Sequence, residues 1–128
     1  MPYLIDTSTL IDFSKGITSV VHALTKLLKE GEEVGVCPIN ITEFYSGISP
    51  KEYDVWDDFF EPLTYWEISR SAAKKAGEYR YEFARKGKKL STADTLIAAV
   101  ARQYHATIIT TDIKDYPMKD IRLLSLRQ

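Results

Sequence analysis

The sequence predicts an α/β protein in which a short central parallel sheet is covered by helices on both faces. Short, β-branched apolar runs alternate with longer segments whose apolar residues recur at helical spacing. Strands and helices that alternate in this way build a parallel sheet with helices packed on it. The chain has 128 residues and no linker-like or repetitive segment, which predicts a single domain over residues 1–128.

The chain begins with a strand and two helices. Residues 3–5 are an apolar run that predicts a buried strand, followed by a short helix over 9–13 that Gly16 ends. Apolar residues then recur at helical spacing over 20–28. Gly31 stops this second helix in the usual position just past a helix end.

The middle of the chain predicts a second strand and two further helices. Residues 33–39 form the strand, and Asn40 is placed to cap a helix that ends near Gly47. Pro50 then opens a helix with an aromatic face, and Pro62 closes it.

The second half of the chain completes the sheet. Residues 63–65 predict a short strand, and a helix over 69–85 follows. The next helix, over 91–104, is apolar nearly all round, which is typical of a buried helix. Residues 107–110 and 123–126 predict the last two strands.

Composition excludes several classes of protein. A net charge of −1 argues against a protein with a uniformly basic surface that coats nucleic acid. No apolar run approaches the roughly 18 residues that a membrane span requires. Cys37 is the only cysteine and the first residues do not resemble a signal peptide, so we expect a cytoplasmic protein without disulfides. His22 and His105 lack the spacing of zinc ligands.

Four acids fall at the same edge of the predicted sheet. Asp6 and Asp112 directly follow strands, and Glu43 lies one helical turn after another strand. Asp94 lies in the first turn of the buried helix that leads into the strand ending before Asp112. The carboxyl ends of parallel strands share one edge, where ligands bind. We therefore expect these four side chains to converge.

A structural role is the alternative for each acid taken singly. Residues 91–94 and 40–43 both fit the capping box, in which two side chains satisfy backbone amides at a helix start. Asp112 can cap the turn that follows it, and Asp6 can interact with the positive end of the next helix. Capping does not explain why all four acids lie at one edge. The group, and no single member, predicts a site.

Carboxylates in one crevice repel each other, and a divalent cation relieves that repulsion. Oxygen ligands of this kind favour Mg²⁺ or Mn²⁺ over zinc. We therefore expect Mg²⁺, or Mn²⁺, as the cofactor.

Four segments resemble the motifs of the PIN-domain nucleases, and among these the VapC-like toxins of toxin–antitoxin pairs. They are residues 4–12, 41–47, 94–101 and 109–116, which occur in the family's order and span nearly the whole chain. The resemblance implies a metal-dependent endoribonuclease that leaves 5′-phosphate and 3′-hydroxyl ends. It also implies two protein partners, an antitoxin and a second copy of the chain.

The resemblance also implies roles for individual residues. Asp6, Glu43, Asp94 and Asp112 match the family's catalytic, metal-binding acids. Ser8 and Thr110 match positions at which the family often has a hydroxyl that helps to hold the acids in place. Asp115 lies in the last motif too and is the alternative to Asp112, which we rank first.

Two further segments bear on binding. Arg85, Lys86, Lys88 and Lys89 belong to a basic segment that could follow an RNA backbone, although cations are also favoured at helix C-termini. Aromatic residues are dense between positions 44 and 66, and those outside the core could bind an antitoxin or form a homodimer.

Two other functions compete with the nuclease. A metal-dependent phosphatase of the haloacid-dehalogenase type needs a second Asp two residues after the first, where this chain has Ser8. A non-catalytic module that binds RNA or protein would not need all four acids. The sequence leaves open which RNA is cut.

Overall fold

Five short strands form one parallel sheet in the computed structural model, which describes residues 1–126. The strands are β1 (Pro2–Ile5), β2 (Glu33–Val36), β3 (Thr64–Tyr65), β4 (Thr107–Thr110) and β5 (Arg122–Ser125). Their order across the sheet is β3-β2-β1-β4-β5, and every neighbouring pair is parallel. The predicted sheet is therefore confirmed. The last two residues of the predicted domain lie outside the described range.

Six helices connect and cover the strands. They are α1 (Thr7–Ser14), α2 (Thr18–Lys29), α3 (Pro38–Ser46), α4 (Tyr53–Phe60), α5 (Arg70–Arg85) and α6 (Thr92–Gln103). Two short 3-10 turns, Pro50–Glu52 and Ile113–Asp115, precede α4 and follow β4. Within residues 1–126, no helix is long and apolar enough to span a membrane.

The sheet separates two apolar cores. Side chains alternate along a strand, so Leu4 and Ile108 enter one core while Ile5 and Ile109 enter the other. The first core is filled by α5 and α6, and the second by α1, α2, α3 and α4. All four strand residues are at most 1% exposed. Helices on both faces explain why the central strands are apolar throughout.

Two predicted boundaries were wrong around β2 and α3. The strand ends at Val36 and not at residue 39, because Pro38 already occupies the first turn of α3, where its fixed φ suits a helix. Cys37 is therefore the N-cap, and Asn40 lies inside the helix. The predicted capping box over residues 40–43 does not form, and Glu43 lies in mid-helix.

Smaller differences occur at three other ends. Helix α1 begins at Thr7 because Asp6 caps it. Pro50 opens a 3-10 turn, and α4 proper begins at Tyr53. Strand β5 lies one residue earlier than predicted. The predicted cap Ser91 is confirmed, since its hydroxyl accepts a hydrogen bond from the third residue of α6.

The strand order has a consequence for the site. The chain leaves β1 for β2 on one side, whereas β4 lies on the other side of β1 and continues to β5. The connections therefore diverge at the carboxyl ends of β1 and β4. A crevice at such a reversal is the usual ligand site of parallel α/β sheets. Asp6 directly follows β1, and Asp112 follows β4 after one intervening residue.

Candidate active site

Asp6 is buried, and both oxygens of its carboxylate accept hydrogen bonds from the protein. It is the N-cap of α1, where the Thr9 amide donates to Oδ1 at 2.9 Å. The Ser8 hydroxyl donates to the same oxygen at 3.1 Å, and the Tyr116 hydroxyl donates to Oδ2 at 3.2 Å. Asp6 is only 3% exposed. These donors fix the orientation of the carboxylate.

The backbone beside Asp6 is also fixed. The Asp6 amide donates to the Ile109 carbonyl at 3.1 Å, which extends the pairing of β1 with β4 by one residue. Asn40, fully buried in α3, donates from Nδ2 to the Ile5 carbonyl at 2.5 Å and accepts from the Cys37 amide at 2.6 Å. The end of β1 is thus joined to both neighbouring strands.

Glu43 projects from the middle of α3 towards the start of α1. It is exposed, and its Oε1 accepts a hydrogen bond of 2.6 Å from the Thr7 hydroxyl. Since Thr7 follows Asp6 directly, this bond brings the two acids to the same edge of the sheet.

Asp94 lies in the first turn of α6 and is partly buried. Its amide donates to the Ser91 hydroxyl at 3.0 Å. Burial raises the pKa of its carboxyl to about 6; the Ser91 hydrogen bond opposes that rise, and the negative charges of Asp115, Asp6 and Glu43 add to it. The ionised form of Asp94 is therefore disfavoured in the absence of a cation.

Asp112 and Asp115 lie at the start and end of the 3-10 turn after β4. Thr110 Oγ1 accepts from the Asp112 amide at 2.9 Å, and Asp112 Oδ1 accepts from the Lys114 amide at 3.2 Å. Burial raises the pKa of Asp115, as do the charges of Asp112 and Asp6, while Lys114 and Lys88 lower it. Two neighbouring acids, Asp112 and Asp6, therefore disfavour the ionised form of Asp115.

These five acids form what we call the carboxylate edge: Asp6, Glu43, Asp94, Asp112 and Asp115. Among residues 1–126, no Lys or Arg forms an ion pair with any of them. Nor do any three Asp, Glu, His or Cys side chains in that range come close enough to coordinate one ion as they stand. Oxygen donors with an uncompensated negative charge fit a hard divalent cation.

The two acids of the last motif differ in their surroundings. Asp112 uses one oxygen to cap its own turn. Asp115 is the acid with the largest electrostatic effect on Asp94, and it also interacts with Asp6. The negative charge of Asp115, which the sequence ranked second, therefore contributes to the raised pKa of Asp94.

The supporting residues include three that sequence reasoning did not assign. Ser8 and Thr110 contact Asp6 and Asp112 as described above. Thr7, Asn40 and Tyr116 also hold the acids or the adjacent strand. Asn40 was predicted only as a helix cap, and no role was predicted for Thr7 or Tyr116. A hydroxyl directly after Asp6 was the available signal for Thr7. Tyr116 acts over 110 residues of sequence separation, and no local pattern indicates such a contact.

The basic segment divides into two parts. Lys88 and Lys89 line an open groove next to the start of α6. Arg85 lies over the Tyr81 ring at 4.3 Å, whereas Lys86 lies over Phe83 at 5.1 Å and lines a different cavity. The four predicted RNA-binding residues therefore do not form one continuous row.

The aromatic residues between positions 44 and 66 also divide. Phe44 is buried on the α1–α4 side and packs edge-on against Trp56 and Phe60. Trp66 belongs to the opposite core, where it stacks on Tyr104. These side chains are mainly core. The exposed apolar side chains of this region include Tyr53, Val55 and Tyr65.

A groove of about 870 Å³ follows α2 and is lined by Val21, His22 and Lys26 among others. It contains none of the five acids. Size alone would place the site there, but the charge and hydrogen bonding of the carboxylate edge argue for the crevice at the sheet.

Sequence similarity to known proteins extends over nearly the whole chain. Residues 3–120 match the family model described as PIN domain. Ribonuclease VapC19 of Mycobacterium tuberculosis is 25% identical over 115 residues, which cover 90% of this chain and 92% of the relative. Ribonuclease VapC2 of Haemophilus influenzae is 24% identical over 132 residues, or 99% of this chain and 96% of the relative.

Solved structures agree on the fold. VapBC2 from Rickettsia felis, bound to a DNA fragment from its promoter, superposes with a TM-score of 0.82 at 26% identity and covers 98% of both chains. DNA-bound VapBC from Salmonella typhimurium gives 0.81 at 21% identity with the same coverage, which shows similarity of fold alone. With the family model matched over residues 3–120, these findings show that the chain belongs to the PIN-domain family.

Proposed function

We propose that this protein is a divalent-metal-dependent endoribonuclease and the toxin of a VapBC-type toxin–antitoxin pair. The observation that carries the proposal is the carboxylate edge, five acids that form no ion pair among residues 1–126, at the strand reversal of a PIN domain. Relatives that span at least nine-tenths of the chain and carry the name ribonuclease support it.

In this proposal Asp6 and Asp94 are the primary metal ligands. Asp115, Asp112 or both complete the site, and the electrostatic coupling of Asp115 to Asp94 and Asp6 favours Asp115. A bound Mg²⁺ or Mn²⁺ would supply Lewis acidity at the phosphate and acidify a coordinated water. The donors to Asp6, Ser8 and Tyr116 among them, keep its carboxylate in one orientation as it binds.

Glu43 is our candidate for the group that orients and deprotonates the attacking water. It is exposed at the edge, and its bond to Thr7 leaves Oε2 for a water molecule. The water oxygen forms the new bond to phosphorus and the 3′-oxygen leaves with a proton. The products then carry a 5′-phosphate and a 3′-hydroxyl, without a covalent enzyme intermediate.

The proposal includes two protein partners and a location. An antitoxin would inhibit the enzyme, and a second copy of the chain would form a homodimer. Structures of similar fold described as VapBC or as a toxin–antitoxin complex support the antitoxin partner. Exposed apolar side chains such as Tyr53 and Val55 on α4 are available for such contacts. The protein would act in the cytoplasm, where RNA and Mg²⁺ are present. Sedimentation of the isolated chain tests the dimer.

Cleavage of end-labelled total RNA tests the nuclease directly. Wild type and Asp94→Asn are each assayed with Mg²⁺, with Mn²⁺ and with EDTA. We expect cleavage by wild type alone, abolished by EDTA, and fragments with 5′-phosphate ends. Equal cleavage by both proteins would place the activity elsewhere or in a contaminant. Metal-independent cleavage by wild type would reject the proposed chemistry.

A further inference from the structure

A groove of about 550 Å³ lies between the end of α5 and the start of α6. We call it the Tyr81 groove, and it is lined by Arg80, Tyr81, Ala84, Gly87, Lys88, Lys89 and Leu90. It contains none of the five acids and combines an exposed aromatic ring with several cations. Such a surface has the chemistry that binds single-stranded nucleic acid.

The sequence builds this groove through a tight turn at the end of α5. Gly87 has φ of +79°, a left-handed conformation that is costly for other residues and that ends many helices. The Lys88 amide then donates to the Phe83 carbonyl at 2.8 Å, which turns the chain back along α5. Arg80 fixes the returning segment, since its Nε donates to the Leu90 carbonyl at 3.1 Å.

Tyr81 is exposed in a way that packing does not explain. Its side chain is 64% exposed, and Arg85 lies over the ring at 4.3 Å. A ring held between a guanidinium and solvent is suited to stacking on a nucleobase, a contact strengthened by the neighbouring cation. The exposed Tyr53 has a different environment, because it packs against another aromatic ring, that of Tyr45.

Charge at this surface is opposite to that of the protein as a whole. The groove is lined by three cations, Arg80, Lys88 and Lys89, and by no acid, although the chain has a net charge of −1. Phosphates of a bound strand would therefore be attracted here and not generally over the surface.

The groove is also next to the carboxylate edge. Leu90 is followed by Ser91, the cap of α6, and Asp94 lies three residues further on. The charge of Lys88 also acts on Asp115. A strand whose scissile phosphate lies at the acids could therefore continue into the groove.

We propose that the Tyr81 groove is a subsite for single-stranded RNA next to the cleavage site. An unpaired base stacks on Tyr81, and Lys88 and Lys89 contact the adjoining phosphates. This inference rests on the proposed nuclease function and adds to it a preference for RNA whose bases are not already stacked in a duplex. The stacking is tolerant of base identity, because every base presents an aromatic face.

Binding in EDTA separates this subsite from catalysis, because no metal-dependent cleavage occurs there. The first probe is a fluorescein-labelled single-stranded RNA of about 16 nucleotides with one arbitrary sequence. The second is the duplex of this RNA with its complementary strand. The third is inorganic polyphosphate, a competitor that has phosphates but no bases. The variants are Tyr81→Ala, Tyr81→Phe and the double variant Lys88→Ala/Lys89→Ala. The matched control is Lys26→Ala/Lys29→Ala, which removes the same charge from exposed residues of α2.

We expect Tyr81→Ala to weaken binding of the single strand by roughly 5- to 150-fold, the range for loss of one stacked base. Its affinity for duplex and polyphosphate should not change, and Tyr81→Phe should bind all three as wild type does. The Lys88/Lys89 variant should weaken both RNA and polyphosphate, and its salt slope should fall by about 1.4. The α2 control should keep the wild-type slope.

Two results would overturn the inference. If Tyr81→Ala binds single-stranded RNA as tightly as wild type, stacking on Tyr81 is excluded. If the Lys88/Lys89 and α2 double variants lose RNA affinity equally, the cations attract RNA through the net charge of the protein and not through a defined site. If wild type cleaves RNA while these variants keep its affinity, the subsite alone is rejected. If wild type neither binds nor cleaves RNA, the proposed function falls as well.

Discussion

Two groups of acids in this protein have opposite surroundings. Asp120, on the α5–α6 side, accepts from the Tyr79 hydroxyl at 2.7 Å and pairs with Arg102 at 2.9 Å and with Lys75 at 3.9 Å. Burial opposes its ionisation, but these hydrogen bonds and charges outweigh burial and lower its pKa. At the carboxylate edge, burial and neighbouring acids raise the pKa of Asp94 to about 6 instead.

We interpret the difference as one between an acid with a structural role, Asp120, and the acids proposed to be functional. Asp120 joins α5, α6 and the segment before β5, and its charge is compensated within the protein. The carboxylate edge keeps negative charge uncompensated, which costs stability unless a ligand supplies the missing cation. Strongly perturbed acids in a crevice are therefore better candidates for a site than acids in ion pairs.

The largest expected effect is on catalysis. Asp94→Asn should reduce cleavage by more than the roughly 10- to 100-fold that loss of an outer contact to a metal ligand costs. Asp120→Asn should cleave at close to the wild-type rate, because its partners lie away from the edge. Rates are measured under single-turnover conditions with saturating Mg²⁺. Similar losses in both variants would mean that the two groups of acids do not differ in function.

The second effect is on folding. Asp6→Ala removes the cap of α1 and leaves the buried Tyr116 hydroxyl without its acceptor, which should lower the free energy of unfolding by about 2–4 kcal/mol. Asp6→Asn keeps an oxygen acceptor and should lose much less, although it should be equally inactive. Urea unfolding in EDTA measures both variants. A free energy of unfolding for Asp6→Ala equal to that of wild type would show that the hydrogen bonds to Asp6 contribute little.

A third comparison uses two buried tyrosines. Tyr116→Phe removes the donor to Asp6 Oδ2 and should lower activity or metal affinity by about 10- to 100-fold. Tyr79→Phe removes the donor to Asp120 and should change stability but not activity. Cleavage is assayed over a range of Mn²⁺ concentrations to separate affinity from rate. Tyr116→Phe with wild-type metal dependence would assign its hydroxyl a structural role only.

The smallest effect is on the pH dependence of stability. The raised pKa of Asp94 means that the folded state binds a proton more tightly than the unfolded state, so wild type loses stability as pH rises from about 4 to about 6. In EDTA at pH 7.5, Asp94→Asn should therefore be more stable by on the order of 1 kcal/mol, since the group is only partly buried.

That gain should disappear towards about pH 3, below the ordinary carboxyl pKa of 3.8, where Asp94 is protonated in both states. Asp120 has a lowered pKa, which stabilises the folded state at neutral pH, and Asp120→Asn should lose stability at pH 7.5. Chemical denaturation at the two pH values measures both. Variants that shift stability in the same direction would contradict the contrast between the two acids.

Sequence reasoning predicted the sheet, its helical cover and the edge where acids meet, because these depend on local periodicity and on the rule that parallel strands end together. It failed where local signals conflict. Asn40 resembles a cap, but α3 starts at Pro38, three residues earlier than a cap at Asn40 predicts. The amide side chain of Asn40 instead bonds to the Ile5 carbonyl and the Cys37 amide.

The site was predictable only in part for a related reason. Each acid follows a strand or begins a helix, and that pattern is visible in the sequence. The hydroxyls of Thr7 and Tyr116 donate hydrogen bonds to acids that are distant in sequence, Glu43 and Asp6. Whether Asp112 or Asp115 acts more strongly on Asp94 depends on the geometry of one 3-10 turn. The assignment of the five acids to metal binding stays a prediction.

Metal binding by the carboxylate edge is tested most directly by thermal unfolding in a Mn²⁺ titration of wild type, Asp94→Asn and Asp120→Asn. We predict that Mn²⁺ at a hundredfold excess over its Kd raises the Tm of wild type and Asp120→Asn by on the order of 10 °C, because it binds the folded state alone. Asp94→Asn should show little or no rise. The same rise in all three proteins, or none in wild type, would contradict a metal site at this edge.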